Sequence, residues 1–220
     1  MKIFLDTAEV DQIKSAYNTG LLDGVTTNPS LIKKSGRDPI EVIKEISTSF
    51  PDLVSISAEV VADFADEMVS QAMDFIDYEN VTIKVPCTVE GLKACKELTR
   101  RDFDVNVTLV FTVSQAILAA KANAKYVSPF VGRWFDQSID GIELIKNIRK
   151  VYDQDYDNFN TEILSASLRD VRQVEQCAIV GTDVVTIPPV VFWGMYKSVL
   201  TEKGLEQFQK DWDSVNGSAN

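Results

Sequence analysis

The sequence predicts an α/β protein folded as a single (β/α)8 TIM barrel with an additional C-terminal helix. Three observations predict it. Short β-rich runs alternate with amphipathic segments along the whole chain, the pattern of a parallel sheet covered by helices. The β-rich runs number eight, and eight strands close most economically into a barrel; a doubly wound open sheet is the structural rival. Neither GxGxxG nor GxxxxGKS/T is present to support a nucleotide-binding form of that rival. At 220 residues the barrel is compact beside the ~250 typical of the fold. Residues 1–200 are expected to form it and residues 201–220 a helix and tail.

The elements follow in order. Strand one is Lys2–Asp6, and a helix opens at Thr7 with Val10, Ile13 and Tyr17 on one face and Gly20 as its stop. Strand two is Gly24–Asn28, and the next helix has Asp38 as N-cap with Pro39 at its first position. Strand three, Val54–Val60, precedes a helix over Phe64–Ile76. Strand four, Val81–Pro86, precedes a helix capped by Thr88 with Leu92, Cys95 and Leu98 inward. Strands Asp104–Phe111, Lys125–Val131, Glu162–Ser167 and Val184–Pro188 precede helices after Thr112, Asp140, Asp170 and Pro189. A last amphipathic segment, Thr201–Ser214, carries Leu205, Phe208 and Trp212 on one stripe. The polar tail VNGSAN is expected to fray.

Composition narrows the chemistry. Acidic residues outnumber basic ones by 33 to 22, a net charge of −11, which speaks against a nucleic-acid partner. Histidine is absent, so Ser-His-Asp triads, histidine bases and histidine–cysteine zinc sites are excluded. Acid–base work falls to Asp, Glu, Lys, Tyr or water. Cys87, Cys95 and Cys177 form no CxxC pair, and their odd number fits a reducing, cytoplasmic compartment. The opening MKIFLDTAEVD is too short an apolar run for a signal peptide, and no stretch approaches the ~20 apolar residues of a membrane span.

Strand parity locates a site. Both faces of a barrel strand are covered, so a polar residue within a strand has a reason other than solvation. Read with period two, Phe4 and Asp6 share a face, as do Ser57 and Glu59, Thr82 and Lys84, Asn106 and Thr108, Ser128 and Phe130, and Ser165 and Ser167. Val105, Val107, Leu109 and Phe111 take the opposite face of strand five. Thr26 and Asn28 pair off in strand two, and Thr186 stands alone in strand eight. The parities converge on a polar chamber holding Asp6, Asn28, Glu59, Lys84, Asn106, Thr108, Ser128 and Ser167, toward the C-terminal strand ends where barrel enzymes work.

Lys84 is the sharpest feature. A lysine amid β-branched strand residues is costly unless paired or neutral. It either forms a buried ion pair with Asp6 or Glu59, or burial lowers its pKa so that the amine can attack a carbonyl. Arg133 and Arg169 each follow a strand by two residues at the rim, where loops hold phosphate; Ser167 adds a hydroxyl. In isolation the two arginines could equally be solvated loop residues.

These segments resemble a known family. FLDTA (4–8), DGVTTNPSLI (23–32), SAEVV (57–61), TIKVPCTVEGLKA (82–94), NVTLVF (106–111), YVSPFVGR (126–133), ILSASLRD (163–170) and GLEQFQKDW (204–212) are similar to the small transaldolases and fructose-6-phosphate aldolases. The resemblance implies Schiff-base aldol chemistry on sugar phosphates without metal or other cofactor. It implies Lys84 as the Schiff-base lysine and Asp6 as the acid–base. Glu59 and Thr108 would position a catalytic water, and Asn28 and Asn106 would hold a three-carbon unit. Arg133, Ser167 and Arg169 would hold phosphate, and Thr26, Ser128 and Phe130 complete the substrate-binding set. Glu59 and Phe130 match transaldolases, whereas the aldolase group carries Gln and Tyr there. The implied reaction moves a dihydroxyacetone unit from fructose 6-phosphate or sedoheptulose 7-phosphate to an aldose phosphate, in the pentose phosphate pathway. The alternatives are an aldolase releasing free dihydroxyacetone, a non-catalytic sugar-phosphate-binding barrel and a pyridoxal-phosphate barrel. The resemblance also implies a homo-pentamer or homo-decamer in which the C-terminal segment docks on a neighbouring subunit.

Overall fold

Eight strands hydrogen-bond in chain order into a closed, wholly parallel barrel in the computed structural model, which describes residues 1–154 and 159–217. They are β1 (Lys2–Asp6), β2 (Gly24–Thr26), β3 (Ser55–Glu59), β4 (Val81–Pro86), β5 (Val105–Val110), β6 (Tyr126–Pro129), β7 (Glu162–Ser165) and β8 (Val184–Ile187). β1 closes the ring by pairing with β8, Lys2 opposite Val184 and Leu5 opposite Ile187. Around it run α1 (Val10–Tyr17), α2 (Pro29–Ser35), α3 (Pro39–Ser49), α4 (Ala65–Ala72), α5 (Val89–Thr99) and α6 (Val113–Lys121). Then follow α7 (Val131–Phe135), α8 (Ile142–Gln154), α9 (Val171–Ile179), α10 (Pro189–Gly194) and α11 (Val199–Gly217). None of these helices is long and apolar enough to cross a membrane.

Alternation along the strands divides the core in two. Leu5, Val25, Ile56, Ile83, Val107, Val127, Ile163 and Val185 point outward and are fully buried under the helices. Each such burial contributes about 1.5–3 kcal/mol. Phe4, Tyr126, Leu164, Ala166 and Val184 fill the barrel interior, with the Phe4 and Tyr126 rings edge to face at 5.8 Å. Gly24 makes room for this filling: a Cβ there would lie 2.6 Å from the Phe4 ring. Asp38 and Thr88, expected from the sequence to cap helices, cap α3 and α5, and Thr112 and Asp170 do the same for α6 and α9.

Several boundaries differ from the sequence reading, each for a local reason. α1 starts at Val10, not Thr7, because the Thr7 hydroxyl turns to Gln12 and accepts from Glu9 N instead of capping. β2 stops at Thr26, since Asn28 leaves the strand to cap α2, a short helix that the periodicity did not announce. α7 is likewise extra: Val131, expected in strand six, is its first residue. α4 ends at Ala72 and continues as a 3₁₀ turn, Met73–Phe75. Leu109 does not follow Val105 and Val107, because the β5–β6 register shifts between Val107 and Val110. Leu109 takes φ +59° and is 43% exposed, and Val110 takes the buried outer position. α11 begins two residues before Thr201 and runs into the expected frayed tail; residues 218–220 lie outside the described part.

Candidate active site

The strand ends build a chamber of about 380 Å³, lined by Asp6, Thr26, Asn28, Glu59, Lys84, Asn106, Thr108, Ser128, Phe130, Arg133 and Ser167. Ser30, Leu31, Leu109, Leu164, Ala166 and Thr186 complete the wall. Ladder register does the gathering: Glu59 lies opposite Lys84, and Lys84 opposite Asn106. On the other side Asp6 lies opposite Thr26. A wider groove of about 720 Å³ shares Glu59 with the chamber, but no amine or guanidinium lines it.

Lys84 is 7% exposed, and its Nζ lies 2.8 Å from Glu59 Oε2. The same Nζ donates to the Thr27 carbonyl at 2.8 Å. Of the two partners open in the sequence, Glu59 rather than Asp6 makes the ion pair. Asp6 instead accepts from Thr26 Oγ1 at 2.8 Å. Thr26 Oγ1 also sits 2.5 Å from Thr186 Oγ1. A hydroxyl has one hydrogen, so Thr186 donates to Thr26 and Thr26 to Asp6. Burial pushes the Asp6 carboxyl above its ordinary 3.8, and the Glu59 charge adds to it, against the Thr26 hydrogen bond and the Lys84 charge.

Asn106 is held at both ends. Its Oδ1 accepts from Ser128 Oγ at 2.6 Å, and its Nδ2 donates to Ser57 Oγ at 3.4 Å. Asn28 Oδ1 accepts from Leu31 N as the α2 cap, which leaves the amide's donors for the chamber. Thr108 Oγ1 is buried without a hydrogen-bond partner among the described residues. An orphaned hydroxyl at a polar wall is a place for water or a ligand oxygen.

Two of the three rim residues, Ser167 and Arg169, are placed otherwise than the sequence reading has them. Ser165 faces outward to Thr182, while Leu164 and Ala166 face the chamber. Ser167 reaches the wall through a left-handed backbone, φ +62°, not through strand alternation. Arg169 is absent from the chamber wall; its guanidinium makes a two-armed pair with Asp136 at the end of α7. Arg133 lines the chamber and, among the described residues, makes no ion pair. Sequence reasoning missed Thr27, Ser30 and Thr186 as parts of the site's frame. Thr186 shared the Asp6 parity and could have been found; the Thr27 contribution is a main-chain carbonyl, which no side-chain pattern reveals.

Thiol chemistry is disfavoured, since burial pushes Cys95 up to about 12 and Cys177 up to about 11. Among the described residues no three of Cys, Asp and Glu cluster as metal ligands would. The chamber offers one primary amine, two carboxylates of different surroundings and a rim guanidinium.

Fold and site together define a (β/α)8 barrel whose strand-end chamber is centred on a buried, doubly held lysine. The profile of the transaldolase/fructose-6-phosphate aldolase family matches residues 3–219, and the chain belongs to that family. A probable transaldolase of Cereibacter sphaeroides is 53% identical over 215 residues, covering 96% of this chain and 95% of its own. One of Caulobacter vibrioides is 51% identical over 219 residues, covering 99% of each chain. Among solved structures, thiamine phosphate pyrophosphorylase from Pyrococcus furiosus superposes with TM-score 0.60 over 85% of each chain. At 14% identity that likeness concerns the fold alone.

Proposed function

We propose that the protein is a transaldolase, moving a dihydroxyacetone unit from fructose 6-phosphate or sedoheptulose 7-phosphate to an aldose phosphate through a Schiff base on Lys84. Its setting would be the pentose phosphate pathway in the cytoplasm. The observation that carries this reading is the Lys84 amine at the chamber wall, between Glu59 and a main-chain carbonyl, with a second carboxyl, Asp6, in the same chamber.

Once Lys84 has given its ammonium proton to chamber water, the amine adds to the ketone carbon of the donor sugar, and the resulting carbinolamine loses water to form the imine. Glu59 and Thr108 are suited to handle that water, one as a charged acceptor and the other as an unpartnered hydroxyl. Asp6 accepts the proton of the hydroxyl next to the breaking carbon–carbon bond. The bonding electrons pass to the imine nitrogen, so an aldose phosphate departs and an enamine stays on Lys84. The enamine attacks the aldehyde carbon of a second aldose phosphate, Asp6 returns the proton, and hydrolysis frees the amine. Asn28 and Asn106 present amide groups to the retained three-carbon unit. Arg133 and Ser167 face the phosphate end, and Arg169 joins them by exchanging Asp136 for the phosphate.

Glu59 and Phe130 favour transfer over release, because a phenyl ring at position 130 offers no proton to quench the enamine. The proposed assembly is a homo-pentamer or homo-decamer, supported by the exposed stripe of α11: Leu205, Phe208 and Trp212 are 62%, 71% and 68% exposed.

The test is borohydride reduction with fructose 6-phosphate, followed by peptide mass mapping. The adduct is expected on Lys84, and Lys84→Met should abolish both adduct and turnover while the chain stays folded. Glu59, left without its partner, is open to chamber water. An adduct on another lysine, such as Lys33 or Lys121, overturns the assignment. Fast cleavage without an acceptor aldehyde would make the protein an aldolase.

A further inference from the structure

The second acceptor on Lys84 is itself an unusual construction. Thr27 lies one residue beyond β2, where ladder bonding ends, and is fully buried. Its N–H and its hydroxyl both donate to one acceptor, the Ser57 carbonyl, at 3.3 and 2.8 Å. The following residue, Asn28, is fixed by its capping bond to Leu31 N. The peptide joining Thr27 to Asn28 is therefore held from both sides, and its carbonyl oxygen is the one that Lys84 Nζ meets at 2.8 Å.

We propose that Thr27 is a positioning residue for the nucleophile. Its hydroxyl clamps the residue to β3, so that its carbonyl fixes the rotation of the Lys84 amine. A neutral primary amine has two hydrogens and one lone pair. Glu59 Oε2 and Thr27 O, each 2.8 Å from Nζ, take the two hydrogens. The lone pair is left for the open side of the nitrogen, which is the chamber that Lys84 lines. Without the clamp the amine turns about its Cε–Nζ bond, and the lone pair aims at the substrate carbonyl less of the time. The effect falls on the rate of imine formation and leaves sugar affinity alone. The inference rests on Lys84 being the attacking amine.

The experiment measures the rate of borohydride-trapped adduct at saturating fructose 6-phosphate, with the trapped residue mapped by mass. Thr27→Val replaces the hydroxyl with a methyl group; Thr27→Ser keeps the hydroxyl and loses the methyl. Trapping should slow by roughly five- to tenfold in the Val variant, the worth of one buried hydrogen bond, with an unchanged half-saturating sugar concentration. The Ser variant should stay within about twofold of the parent, since its hydroxyl can make the same bond. A residue that only braces the fold would lower the melting temperature without moving the trapping rate at a permissive temperature. Parental rates in the Val variant, a defect cured by more sugar, or a Ser variant as slow as Val would each overturn the proposal. Should Val prevent folding, Thr27→Ala carries the same measurement. If the unmutated protein traps sugar on a different lysine, the function reading fails first and this inference with it.

Discussion

At the scale of single residues, the burial of Asp6 sets stability against the acid–base role proposed for it. Burial raises its folded pKa above 3.8, so the proton is held more tightly in the folded chain than in the unfolded one. The sign follows: the protonated form favours folding below 3.8, and that advantage is lost as pH rises through the raised folded value. At neutral pH the buried charge thus works against folding. Asp6→Asn should raise the melting temperature at pH 7 by a few degrees, each kcal/mol being about 2–4 °C at this size. The gain should vanish below about pH 4, and turnover should be lost. A melting curve series against pH checks it, and a variant less stable at pH 7 contradicts it. Lys84, Glu59 and Asp6 were legible in the sequence because period-two alternation fixes which face a strand residue takes. Which carboxylate meets the lysine was not legible, since register between strands decides it, and Glu59 rather than Asp6 lies opposite.

At the scale of elements, α7 and the turn after β7 act as one rim. Val131 N bonds the Ala166 carbonyl, and a Cβ on Gly132 would stand 1.9 Å from the Ser167 carbonyl oxygen. Only a residue without a side chain lets α7 sit so close, and α7 carries Arg133. Gly132→Ala should force the two segments apart at about 1–3 kcal/mol, the usual penalty of overpacking. It should also raise the Michaelis constant for phosphorylated acceptors more than for unphosphorylated ones, because Arg133 and Ser167 move while Lys84 does not. Equal changes for both acceptor types would contradict this. All eight strands were legible from their alternation, as were the capping residues Asp38 and Thr88. The two short helices were not. α2 and α7 are one or two turns long, too short for a 3.6-residue period to show. The bulge that turns Leu109 toward the chamber was hidden for a related reason: an inserted residue reverses the alternation beyond it. Ser167 was assigned to the chamber on parity and reaches it by a left-handed turn instead.

At the scale of the molecule, α11 carries an apolar stripe that the other described residues leave uncovered. Leu200, Leu205, Phe208, Trp212 and Val215 are all exposed. A chain ending before residue 199 should keep the barrel and its Lys84 adduct while sedimenting as smaller species; an unchanged large species would count against docking through α11. The amphipathic stripe was legible, but not that the other described residues leave it uncovered, because periodicity marks a face without saying what covers it. Closure of the ring has a further consequence, for synthesis. β1 finds one neighbour in β2 early and the other only in β8, so Lys2 waits for Val184. At about 5–20 residues per second, the nascent chain carries an open strand edge for roughly 10–40 s. Until translation reaches β8, the chain is an incomplete sheet that holdase chaperones and proteases can recognise, and a ribosome stalled short of it releases an aggregation-prone fragment rather than a smaller barrel.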